Sequence, residues 1–138
     1  MSFTTSKITS VEVLDRLLAK AQLDKITNES QLANLVFSRN QMDLEEQNAL
    51  LEQQAVQSEL DLLNAQIPTL SEGEYKAAQQ DKATRTQYRL FQVNSRLKRY
   101  GGEAMVTNEY EQIERTAKSV DLDTYISALQ TRRAELAP

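Results

Sequence analysis

Apolar positions in this chain recur at intervals of three and four residues, the repeat of one helix face and not the alternation of a strand. Val13, Leu14, Leu17, Leu18 and Ala21 follow Thr9-Ser10-Val11-Glu12, whose Thr and Glu have capping-box spacing. They predict a helix over 9–27, preceded by a polar segment, 1–8. Thr27 and Asn28 can cap a second helix, with Gln31 at the reciprocal position; the alternative is a pattern that runs through unbroken. Glu29 to Gln66 contains neither Gly nor Pro, which predicts a long helix over 29–67 that Pro68 stops. Ser71 and Glu74 form another capping box and open a helix over 72–100, which Gly101-Gly102 ends. Arg96, Lys98 and Arg99 suit the negative end of its dipole. Met105, Tyr110, Ile113, Ala117 and Val120, then Leu122, Ile126, Leu129 and Leu136, predict C-terminal helices within 104–137, the last capped by Asp121 or Asp123.

The long helix carries two apolar stripes. Phe37, Leu44, Leu51, Ala55 and Leu62 form one, expected to face the next helix. Leu35, Met42, Ala49, Val56, Leu60, Leu63 and Ile67 form the other, expected to be covered by the first and C-terminal helices of the same chain and, in part, to serve as an assembly face between subunits. The polar segment Met1–Thr9 is expected to order against a neighbouring subunit.

Charge adds a register. Gln41 to Tyr75 holds no Lys or Arg, whereas Lys82 to Gly102 holds no acid. Folding back at Pro68–Ser71 sets Glu59 against Lys82, Glu52 against Arg89, Glu45 against Arg96 and Asp43 against Lys98. Both Glu45, Glu52, Glu59 and Lys82, Arg89, Arg96 step by seven, the spacing of one edge of a coiled-coil seam. The same register pairs Leu51 with Leu90 and Leu44 with Leu97, and sets Asn48 opposite Val93 as a polar seam position. Exposed ion pairs stabilise weakly, so their expected role is to penalise a slipped register. The fold expected is all-α: one elongated domain, a long antiparallel coiled-coil hairpin with shorter N- and C-terminal helices packed on it.

Composition narrows the chemistry. The 138 residues include no Cys, no His and no Trp, with Gly 3 and Pro 2. Disulfides, thiolate or imidazole metal sites and a Ser-His-Asp triad are thereby excluded. None of the glycines forms a phosphate-cradling loop. Asp121-Leu122-Asp123-Thr124 resembles the aspartate pair of haloacid dehalogenase-type phosphatases, but that motif needs a preceding strand and the helical context supplies none. Glu45-Glu46 reads as a solvated helix face, not a cation site. No enzyme activity, cofactor or metal is expected.

The formal charge of −4 points to no particular partner. Segment 85–100 interleaves Arg85, Arg89, Arg96, Lys98 and Arg99 with Tyr88, Phe91 and Tyr100, a composition used in nucleic-acid binding. The acidic block offers these cations a partner within the chain, and nucleic acid ranks third. No apolar stretch is long enough to span a membrane, and the start lacks the apolar run of a Sec signal. Its Ser/Thr-rich start is similar in composition to type III and flagellar export substrates and to ordinary polar leaders. The expected location is cytoplasmic, virion-associated or exported by a non-Sec route. The function expected is a structural subunit that assembles with itself into an oligomer or filament. The alternative is a helical adaptor or chaperone, in secretion or phage assembly, for a heterologous helical protein.

Overall fold

The computed structural model describes residues 3–100 and 102–137. The chain is all-helical, with long helices packing together and no strand among the described residues. Helix α1 covers Val11–Gln66, α2 covers Glu74–Tyr100 and α3 covers Glu103–Leu136. Two short 3-10 turns, Thr5–Lys7 and Ile67–Thr69, precede and follow α1.

The break expected at residues 27–28 does not form, and α1 runs through it for 56 residues. Asn28 is 1 % exposed and spends its side-chain amide on α3 instead of capping a helix. The C-terminal helices likewise merge, because Asp121 and Asp123 sit inside α3 and Asp123 pairs with Lys25 at 2.5 Å. Ser10, not Thr9, caps α1: its Oγ accepts from the Val13 amide at 3.4 Å. Gly73, not Ser71, precedes the first residue of α2, and its φ of +153° suits a residue without a Cβ. Gly102 precedes α3 and accepts from the Val106 amide at 2.9 Å, whereas Gly101, the other half of the expected break, lies outside the described residues.

Where the sequence reads as one domain, contacts group the chain into two compact units. One joins the chain up to Ser38 with Thr107 onward, and the other is Arg39–Val106.

In the first unit, α1 and α3 run antiparallel. Asp15 pairs with Arg133 at 2.6 Å and Lys25 with Asp123, while Leu35 accepts from Asn108 Nδ2 at 3.0 Å. Among the positions of α1 that are not exposed, Val11, Leu14, Leu18, Ala21, Lys25, Asn28, Leu32 and Leu35 step by three and four, with Val13 and Leu17 beside them. Leu14, Leu18 and Leu129 are its apolar centre, with Ile8, Leu17, Tyr125, Ile126 and Leu136 packed against them. Burying side chains of this size contributes about 1.5–3 kcal/mol each. Residues 3–8, before α1, make contacts within their own chain, while Met1 and Ser2 lie outside the described residues. Phe3 meets Tyr125 edge-on at 5.0 Å, and Arg132 donates to the carbonyls of Ile8 and Ser6 at 3.0 and 3.3 Å.

In the second unit, α1 packs with α2. Ala49, Val56, Leu60 and Leu63 are buried on α1, and Thr86 and Val93 on α2. Gln53 Nε2 donates to Asn94 Oδ1 at 2.6 Å, so the polar pair between these helices is Gln53 with Asn94. Asn48, expected at the seam, is exposed, while Val93 is buried.

Candidate assembly surface

Burial of the two stripes of α1 is the reverse of that expected. The stripe read as an assembly face is the one covered within the chain: Ala49, Val56, Leu60 and Leu63 are buried, and Leu35, Met42 and Ile67 are half-buried. The stripe read as the hairpin face is bare, with Phe37, Leu44, Leu51 and Leu62 exposed, Leu51 to 65 %. The reason lies in the residues near the turn. Val56, Leu60, Leu63, Ile67 and Leu70 supply two apolar positions per heptad without interruption. The other stripe offers Ala55 and Ser58 there, too small to form a continuous seam. On α2, Leu90 and Leu97 are half-buried, but Leu51 and Leu44 point elsewhere and are not their partners.

The charged edge is displaced as well. Glu59 lies 3.9 Å from Lys82, the pair expected, and also takes Arg89 at 3.4 Å. Arg96 pairs with Glu52 and not with Glu45, and Asp43 pairs with Arg39 on its own helix at 2.6 Å. Charges repeating every seven residues match equally well after a slip of one heptad. They narrow the register to a set, and packing of the buried residues selects within it.

Each helix also presents apolar side chains away from its buried face. In the second unit these are Leu44, Leu51 and Leu62 on α1, and Tyr88 and Phe91 on α2, whose rings stack 6.4 Å apart. In the first unit they are Leu23, Ile26 and Phe37 on α1, and Tyr110, Ile113 and Val120 on α3. Helical periodicity already carried this signal on α3, since Tyr110, Ile113, Ala117 and Val120 step by three and four.

Charge differs between the exposed faces of the second unit. Around Leu44, Leu51 and Leu62 stand Glu45 and Asp61, both exposed, with no cation in that stretch of α1. Around Tyr88 and Phe91 stand Arg85, Lys98 and Arg99, also exposed, with no acid in that stretch of α2. A groove of about 510 Å³ opens beside α2, lined by Phe91, Ser95 and Arg99 together with Arg89, Arg96 and, from α1, Glu52.

Among the described residues no three potential metal ligands gather, and no helix is long and apolar enough to cross a membrane. No family model, curated protein or solved structure matches this chain.

Proposed function

We propose that this protein is a structural subunit that assembles with itself, acting through the shape of its helix faces and without catalysis. Its α1 pairs with α2, and with α3, as antiparallel coiled coils, which accounts for burial at steps of three and four. The observation that supports the reading is what remains after those pairings: Leu44, Leu51, Tyr88, Phe91, Tyr110 and Ile113 are all more than half exposed. Contiguous apolar patches rimmed by charge mark interaction surfaces on soluble proteins.

Light scattering over a concentration series tests this. A mass that climbs with concentration supports self-assembly. A constant monomer mass, with stoichiometric capture of another protein from the native source, supports the adaptor reading. Nucleic-acid binding through residues 85–100 is weakened as a reading because Arg89 and Arg96 are already engaged by Glu59 and Glu52.

A further inference from the structure

The two exposed faces of the second unit complement each other in charge, length and apolar content. On α1, Glu45 and Asp61 flank Leu51 on opposite edges of its face, Glu45 on the edge shared with Glu52 and Glu59, and sixteen residues of helix set them ~24 Å apart along the axis at 1.5 Å per residue. On α2, Arg85 and Arg99 bracket Tyr88 and Phe91 and are ~21 Å apart on the same scale. None of these four ions pairs with an opposite charge among the described residues, unlike Glu52, Glu59, Arg89 and Arg96 beside them. Each face thus has an apolar centre and an ionic rim of one sign, and the other face supplies the opposite sign.

We infer that the acidic apolar face of α1 in one copy docks on the basic aromatic face of α2 in a second copy. This inference rests on the self-assembly reading and specifies its geometry. The contact is heterologous: two different surfaces meet, one from each copy. Each face lies away from the buried surface between α1 and α2, so the two point in opposite directions. A pair of copies therefore cannot satisfy both faces at once. Each bound pair leaves one acidic face free on one copy and one basic face free on the other, and addition continues until a ring closes or a filament grows. Two acidic faces brought together would set Glu45 and Asp61 against like charges, which disfavours a symmetric dimer through that surface.

Charge reversal on each face tests the inference. Glu45→Lys with Asp61→Lys makes both faces basic, and Arg85→Glu with Arg99→Glu makes both acidic. All four positions are exposed, and far-UV circular dichroism is expected to match the wild type. Each double variant alone should associate about a hundredfold more weakly than the wild type in sedimentation velocity. An equimolar mixture should recover association, because every contact between unlike variants again joins opposite charges. In the wild type itself, raising NaCl from about 0.05 to about 0.5 M should weaken association about tenfold.

If the wild type assembles and either variant still assembles alone, or the mixture stays monomeric, the docking scheme is overturned while self-assembly stands. Salt-insensitive wild-type assembly overturns it in the same way. A wild type that is monomeric throughout overturns both, and a salt-dependent shift of nucleic acid would then assign Arg85 and Arg99 to that partner.

Discussion

Asn28 in α1 donates its Nδ2 to the Arg115 carbonyl at 2.7 Å and to Ser119 Oγ at 2.9 Å, joining α1 to a stretch of α3 some ninety residues later in the chain. Its Oδ1 accepts from the Arg115 guanidinium at 3.4 Å, so both ends of the amide are used. A buried amide satisfied this way fixes one alignment of two helices, since a slip would leave it without partners. Replacing Asn28 by Ala should cost about 1–3 kcal/mol in urea unfolding. A change within error would mean that these hydrogen bonds do not hold the α1–α3 alignment.

Glu29→Pro separates a continuous α1 from one broken at Asn28. If Asn28 capped a new helix, proline would occupy its first turn, where it is well tolerated. Inside a continuous helix it removes a backbone hydrogen bond and clashes with the preceding turn, costing about 3 kcal/mol or more. The larger loss is expected, read by thermal unfolding.

Val56 and Leu51 lie on opposite sides of α1, 1 % and 65 % exposed. Val56→Asp buries an unpaired carboxylate and should cost about 3–5 kcal/mol, with loss of helical signal at modest urea. Leu51→Asp should change monomer stability by less than about 0.5 kcal/mol. Equal effects at the two sites would contradict the assignment of faces.

Lys25 titrates above its ordinary value, chiefly because Asp123 accepts its hydrogen bond and also attracts its charge. A folded-state value above the unfolded one means the pair's contribution is complete below the ordinary lysine range. It is lost as pH rises through the elevated folded value. Lys25→Met should therefore lower Tm near neutrality, where the pair's contribution is complete, and remove part of the alkaline fall. An unchanged alkaline profile would count against a role for the pair in solution.

The helical class, the stop at Pro68 and the start of α2 close to Ser71 were legible because proline, glycine and uninterrupted periodicity act locally. Which stripe of α1 is buried was not legible from side-chain size, since Leu44 and Leu51 are larger than Ala49 and Val56 yet stay exposed. Continuity at two positions per heptad decided it, a property of the whole stretch from Val56 to Leu70. Asn28 misled for a related reason. Its residue type favours a cap, but the partners it uses, Arg115 and Ser119, are close only once α3 has packed. The ion pairs were legible up to a slip of one heptad, because Glu52 and Glu59 present the same charge at the same spacing.

Sedimentation equilibrium over a wide concentration range, on the wild type and on Leu44→Asp with Leu51→Asp, tests self-assembly through the exposed face most directly. The wild type should rise above monomer mass with concentration, while the double variant remains at monomer mass with unchanged helical content. A wild type at monomer mass throughout, or a double variant that assembles equally well, would contradict it.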